Sequence, residues 1–220
     1  MNKYFAELLG AFAGDGWMSK GNSGISLFIS GNPTDEKEYY NKRIKFLFKK
    51  TFHIDVFPRD FSYWGTYGIC VGKKEVTKQF ILSKMPVGKK CNIVKVPKSI
   101  ISNPKMHTSF IRGLFDTDGC IYFKKSYNKN ASRWQKQTRH RPTVIFSTVS
   151  INLAKKVRQM LLLQNLNFGI RTNKPSNGNY NSYELRLEGK ENTKRFFALV
   201  KPENKRHLNK FKQWLTQGFY

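Results

Sequence analysis

Leu8-Leu9-Gly10-Ala11-Phe12-Ala13-Gly14-Asp15-Gly16 and Ile111-Arg112-Gly113-Leu114-Phe115-Asp116-Thr117-Asp118-Gly119 decide the fold. Each is an apolar run with a small residue every fourth position, closed by Asp-Gly, so that Asp15 and Asp118 hold the same slot 103 residues apart. Gly10 and Gly14, like Gly113 and Thr117, lie four residues apart and therefore on one helical face. Small residues in a stripe let two helix backbones approach more closely than bulky side chains allow. Each glycine costs roughly 1 kcal/mol of helix propensity. That cost, taken at matching places, points to two helices packed on each other across a pseudo-twofold axis. Gly16 and Gly119 are expected to be the left-handed residues that end them.

Acid is otherwise scarce. The chain carries 14 Asp+Glu against 40 Lys+Arg, a formal net charge of +26 and a pI near 10.1. Such an excess implies a polyanionic partner, nucleic acid first and anionic membrane second. Against that background the twin acids stand out. The macrodipole disfavours an anion at a helix C-terminus, and in parallel helices Asp15 and Asp118 would also face each other. A divalent cation relieves both problems, and an all-oxygen site of carboxylates, backbone carbonyls, water and phosphate suits Mg²⁺. Asp116 reads as a satisfied structural acid in a turn. An EF-hand is excluded, because its register would put Leu114 at position one and Lys125 at position twelve.

Cys70, Cys91 and Cys120 are odd in number and lack Cys-x-x-Cys spacing, which argues against a disulfide framework or zinc site and suits a reducing compartment. His53, His107, His140 and His207 are scattered and form no ligand cluster. No signal peptide or membrane-length apolar run is present, so a soluble protein of the cytoplasm or an organelle interior is expected, without a membrane partner.

The chain also repeats itself. A shift of 116 aligns Phe52 with Phe168, Tyr67 with Tyr183, Phe80 with Phe196, Pro86 with Pro202 and Lys89 with Lys205, in one register from about Ile29/Ile145 onward. The difference from the motif spacing of 103 places a 13-residue insertion within Lys124–Arg141, a stretch rich in Lys and Arg and free of acid. Each half reads as a motif helix, two strands, a helix, two strands and a helix. The first half has strands at Gly16–Lys20, Ile25–Ser30, Asp55–Tyr63 and Thr66–Val71, with helices at Asp35–Phe52 and from Lys74. The second has strands at Cys120–Phe123, Thr143–Thr148, Phe168–Lys174 and Tyr183–Leu187, with helices at Ile151–Asn165 and from Glu191. The class is α+β, with halves 1–95 and 107–220 and a linker, 96–106, inside the proline-bearing stretch Met85–Met106.

Both motifs resemble the LAGLIDADG motif, and two copies about a hundred residues apart resemble the monomeric LAGLIDADG homing endonucleases. The repeat extends the resemblance over nearly the whole chain. One departure is Ala13, which fills a slot where the family often has an acid. The resemblance implies two αββαββα halves whose curved antiparallel sheets form a DNA-binding saddle, in a monomer with an internal pseudo-dimer. It implies that Asp15 and Asp118 hold Mg²⁺, helped by the carbonyls of Gly14 and Thr117, with Mn²⁺ as a substitute and Ca²⁺ binding without supporting cleavage. The substrate would be a long, asymmetric double-stranded DNA site, hydrolysed across a minor groove to leave short 3′ overhangs.

Basic residues around such a site offset developing charge, and the repeat nominates Lys89 and Lys205 as catalytic, with Lys90 and Arg206 next to them. Strand alternation sends every second side chain towards DNA. The candidates are Ser19, Lys20, Ser26, Phe28, Ser30, Arg59, Phe61 and Tyr67 in the first half, and Tyr122, Lys124, Arg171, Asn173, Tyr183 and Arg186 in the second. Some of these must face the core. The insertion, with Lys125, Arg133, Trp134, Arg139 and Arg141, is expected to clamp phosphates. Two alternatives share this architecture: a maturase that binds intron RNA to assist splicing, and a non-catalytic nucleic-acid-binding protein. Met1 stands just before the first motif with no protein-splicing block, which favours an intron-encoded or free-standing enzyme over an intein insert.

Overall fold

The structure, a computed structural model, describes residues 1–126, 139–175 and 180–217. Helix α1 (Lys3–Asp15) starts at Asn2, whose side chain accepts the Phe5 N–H at 2.8 Å, and runs straight into strand β1 (Gly16–Gly21). Strand β2 (Gly24–Gly31) returns antiparallel. One long helical segment follows, from α2 (Lys37–Tyr39) through a π turn at Tyr40–Ile44 into α3 (Lys45–Phe52). Strands β3 (Arg59–Phe61) and β4 (Thr66–Val71) complete a sheet of order β1-β2-β4-β3, and α4 (Lys74–Leu82) closes the half. The connection to the second half carries α5 (Lys98–Ile101) and a 3-10 turn at Pro104–Met106.

The second half repeats the plan. It contains α6 (His107–Asp118), β5 (Gly119–Ser126), β6 (Arg139–Thr148), α7 (Ile151–Leu162), β7 (Gly169–Asn173), β8 (Ser182–Glu188) and α8 (Lys190–Val200). Its sheet has the order β5-β6-β8-β7. A further helix, α9 (Lys205–Gln217), follows α8 and was not expected from the sequence pattern. Among the described residues no helix is long and apolar enough to cross a membrane.

Each sheet buries one face. Met18, Leu27, Ile29, Ile69 and Val71 turn towards the helices in the first half, and Ile121, Val144, Phe146, Leu185 and Leu187 do so in the second. These positions correct the constant register of 116. The pairings Gly16↔Ile29 and Gly119↔Phe146 make Phe146 the counterpart of Ile29, an offset of 117. Ile44, Leu47 and Phe48 match Val157, Met160 and Leu161, an offset of 113, and only from Thr66/Ser182 onward does 116 hold. Ile145 is on the sheet face opposite to Ile29's, because a one-residue slip exchanges the two faces of a strand.

The two motif helices meet as the glycine stripes require. A methyl group on Gly10 would collide with the carbonyl oxygen of Phe110 and lie 2.9 Å from the Leu114 nitrogen. One on Gly113 would collide with the Glu7 carbonyl oxygen and lie 2.7 Å from the Ala11 nitrogen. Gly14 in turn faces Thr117 and Asp118, so the helices run parallel and bring their C-terminal ends together.

The expected left-handed caps are corrected. Gly16 (φ −89°, ψ 156°) and Gly119 (φ −79°, ψ 162°) are extended, as befits the first residues of strands. Glycine is needed there for room. A side chain at Gly16 would press on Phe12, 2.6 Å from its Cα, and one at Gly119 would press on Phe115.

Candidate active site

Asp15 and Asp118 are the last residues of α1 and α6, and the parallel packing brings their side chains within hydrogen-bonding reach of each other. Tyr40 Oη donates a long hydrogen bond, 3.5 Å, to Asp15 Oδ2. Burial, then the charge of Asp118, then that of Glu36, pushes the Asp15 carboxyl up to about 8. Burial also raises Asp118, although its side chain keeps contact with solvent. Water reaches the pair while the surrounding protein makes double ionisation costly.

Two cations sit at the C-terminal ends of the two motif helices. Lys90 Nζ donates to the carbonyls of Phe12 (3.0 Å), Ala13 (3.2 Å) and Gly14, the C-terminal end of α1. Arg206, 116 residues on, donates to the Thr117 carbonyl at 3.0 Å. Burial lowers the Lys90 ammonium, and Asp118 and Asp15 oppose that shift. Lys205 instead pairs with Glu38 at 2.8 Å, and the Lys89 ammonium lies 5.5 Å from the Tyr180 ring centroid. The cations seated at the motif helices are therefore the neighbours of the two lysines that the repeat nominates.

Behind the pair lies a buried polar layer that the sequence pattern did not disclose. Glu36 accepts from the Asn32 N–H (2.7 Å) and Asn204 Nδ2 (2.9 Å) and pairs with Arg206 (3.3 Å), so its oxygens are already engaged. Asp116 is structural, as expected, but it sits within α6 rather than in a turn. Its carboxylate accepts the N–H groups of Glu203 (3.0 Å) and Asn204 (3.1 Å), which fixes the approach to α9 and hence Arg206. Burial lifts Asp116 to about 8 against those two bonds. Tyr40, Glu36 and Asn204 carry no motif, and only the offset of 116 flags Arg206.

The donor set fits a hard divalent ion. Among the described residues no three His, Cys, Asp or Glu side chains form a metal cage. Asp15 and Asp118 nevertheless supply oxygen donors. The carbonyls of Gly14 and Thr117 accept from Lys90 and Arg206 and have second lone pairs to add, and an ion such as Mg²⁺ takes its remaining ligands from water and phosphate. Burial first, and then the charge of Asp118, raises the Asp15 carboxyl, and a divalent cation at the pair would offset both.

Strand pairing sorts the DNA-facing candidates. Ser19, Ser26, Phe28, Ser30, Arg59 and Phe61 lie on the helix-free face of the first sheet, and Tyr122, Arg141, Arg171, Asn173 and Arg186 lie on that of the second, while Lys124 is placed by its backbone pairing with Arg141. Tyr67 and Tyr183 are corrected together, since both stand in the helix-facing register. Tyr67 is buried with its hydroxyl donating to Asn41 at 2.9 Å, and Tyr183 packs against the core. Lys20 also falls in the helix-facing register, exposed at the strand end. Lys125 and Arg139 are placed by backbone pairing in β5 and β6. Arg133 and Trp134 lie outside the described residues.

Two pseudo-symmetric halves, each a four-stranded antiparallel sheet with helices, joined through parallel helices that end in paired carboxylates, constitute the LAGLIDADG fold with both copies in one chain. Residues 105–201 match the family described as LAGLIDADG-like domain. The fold is similar to that of the homing endonuclease I-DmoI in complex with DNA and Mn (TM-score 0.61, 15% identity, 91% of this chain and 98% of that chain). It is also similar to the meganuclease I-SmaMI bound to DNA (TM-score 0.59, 10% identity, 99% and 89%). The LAGLIDADG meganuclease I-AabMI bound to uncleaved DNA gives a TM-score of 0.59 at 12% identity over 99% and 90%. In sequence the chain is 27% identical over 209 residues to the replication factor C small subunit of Methanocaldococcus jannaschii; the match takes in 95% of this chain and 10% of that protein.

Proposed function

We propose that this chain is a sequence-specific endonuclease that hydrolyses double-stranded DNA with a divalent metal ion, Mg²⁺ first. The observation that carries the proposal is the meeting of Asp15 and Asp118 at the ends of paired helices, flanked by Lys90 and Arg206. A protein that only bound nucleic acid would gain nothing from two costly acids under a basic surface. The solved relatives in complex with DNA, one with Mn, support the same reading.

Asp15 and Asp118, with the Gly14 and Thr117 carbonyls, would hold the ion or ions. A bound divalent ion makes water a stronger nucleophile near neutral pH and neutralises charge on the phosphate. Hydrolysis joins the water oxygen to phosphorus and breaks the P–O3′ bond, which leaves a 5′-phosphate and a 3′-hydroxyl. Lys90 and Arg206 are the cations placed to offset charge growing on the phosphoryl oxygens, one for each half. With one acid per half, each half cuts one strand, consistent with a staggered break and short 3′ overhangs. The free sheet faces differ in every matched strand, which suits a long asymmetric target and a monomer.

The test is selection of cleaved sites from a randomised duplex library in Mg²⁺, followed by Asp15→Asn and Asp118→Asn. Both variants should bind the selected duplex in Ca²⁺ and fail to cut it in Mg²⁺. Strand cleavage that survives either substitution refutes the assignment.

A further inference from the structure

The helix-free face of the first sheet carries an aromatic cluster that the hydrolytic site does not use. Trp17 stacks on Phe28 with ring centroids 4.8 Å apart and planes 4° from parallel. Trp64, from the turn before β4, stands edge-on to both at 5.1 and 5.6 Å. Phe61 packs against Phe28 at 6.0 Å. The rim is open, with Trp64 48% and the adjacent Tyr63 93% exposed.

Strand pairing gives the matched positions of the second sheet. Trp17 corresponds to Cys120, Phe28 to Ile145 and Phe61 to Asn173, while Cys70 corresponds to Arg186. Arg186 is ion-paired with Glu184 (3.2 Å) and Glu188 (3.6 Å) on that same face. One scaffold thus presents a cluster of apolar rings in one half and, in the other, no ring at the matched positions but Cys120, Ile145, the Asn173 amide and the ion-paired Arg186.

From this contrast we infer that the two sheets read duplex DNA by different chemistry: the first through contact of its aromatic plaque with thymine 5-methyl groups, the second through hydrogen bonds to base edges. The inference rests on the nuclease reading above and specifies how that site is addressed. Three observations choose the occupant. The plaque shares the helix-free face of the first sheet with the polar candidates Ser19, Ser26 and Arg59. Its charged neighbour is a cation, Arg59, 5.5 Å from the Phe61 ring, whereas Asp60 turns to the helix side and pairs with Lys37. A net charge of +26 repels a second copy and attracts a polyanion. The major groove is a polyanionic surface that offers apolar groups, and these are the thymine methyls. Fixed rings meet them with little loss of side-chain freedom.

The experiment takes a duplex selected by the wild-type protein and replaces thymine by deoxyuridine, which removes the methyl alone, in one half-site at a time. Binding in Ca²⁺ should weaken about fourfold per lost methyl in one half-site and hold steady in the other. With 5-iododeoxyuridine in the sensitive half, photo-crosslinked peptides should contain Trp17, Phe28, Phe61 or Trp64. Phe61→Asn and Trp64→Ala should each reduce the uridine effect. Equal sensitivity in both halves, none in either, or crosslinks to the second sheet overturns the inference while leaving the nuclease reading intact. Failure to bind or cut any duplex overturns both. Binding of single-stranded DNA as tight as that of duplex assigns the rings to base stacking and overturns the methyl reading alone.

Discussion

Replacing Gly113 by alanine puts a methyl group onto the carbonyl oxygen of Glu7 and 2.7 Å from the amide nitrogen of Ala11. Ordinary contact begins near 3.4 Å, and the obstacles are backbone atoms of the facing helix rather than flexible side-chain ends. The helices must therefore part locally by more than about 0.7 Å, because the Glu7 oxygen stands nearer still than the Ala11 nitrogen, a form of overpacking that costs about 1–3 kcal/mol, and more where the wall is rigid. Both obstacles are backbone atoms, which puts the cost at the upper end of that range, about 3 kcal/mol. Alanine returns about 1 kcal/mol of helix propensity, which leaves a net destabilisation of about 2 kcal/mol. The sign is decisive, because a glycine present by chance would give about 1 kcal/mol of stabilisation on the same change. Urea unfolding followed by circular dichroism reads the difference as a lowered midpoint at unchanged slope. Gly10→Ala should behave alike. The double variant should lose less than the sum, since helices already parted accommodate the second methyl. A midpoint that stays put or rises in Gly113→Ala refutes the close-packed dyad.

Three further outcomes follow from the polar groups. In chelator, Asp15 and Asp116, both raised to about 8, bind protons in the folded chain that the unfolded chain releases between pH 3.8 and about 8, while His207, which burial lowers to about 3, opposes them below pH 6.5. Stability therefore falls as pH rises through that window, by up to about 1.4 kcal/mol per unit for each group. Asp15→Asn should flatten the pH 5 to 7 slope in urea titrations, and slopes parallel to the wild type would contradict the raised Asp15 carboxyl. Lys90→Met or Arg206→Met should slow cleavage about 100- to 1,000-fold with duplex affinity in Ca²⁺ changed only a few-fold; unchanged single-turnover rates would exclude them. Glu7 is buried between Arg43 (2.6 and 2.7 Å) and Arg112 (3.2 Å), so Glu7→Gln should cost about 3–5 kcal/mol, and a loss below 1 kcal/mol would show the network to be dispensable.

Where sequence reasoning succeeded, it used information that survives in one dimension. Small residues at a four-residue period and acids at one slot identified the paired helices and Asp15/Asp118. Alternation located all eight strands to within a few residues. It failed where an outcome depends on loop length. The register of 116 misassigned Ile145, because lengths between elements vary freely on the surface while faces exchange with every residue gained or lost. Equal offsets also could not separate Lys89 from Lys90. The Gly88 N–H bound to the Met18 carbonyl at 2.7 Å settles the path of that loop and turns Lys90 inward.

The chain on its own discloses two similar halves, a dyad of glycine-lined helices and a pair of acids at one slot, since these rest on residue identity at short, regular spacing, together with a net charge of +26. The three-dimensional packing decides which cation serves each acid, that Glu36, Tyr40, Asp116 and Asn204 form the layer behind them, and that one sheet offers rings where the other offers charge. Those relations join residues up to 168 apart in sequence, as in the Asn204–Glu36 hydrogen bond. No local pattern encodes such a contact, which depends on how the core brings distant elements together.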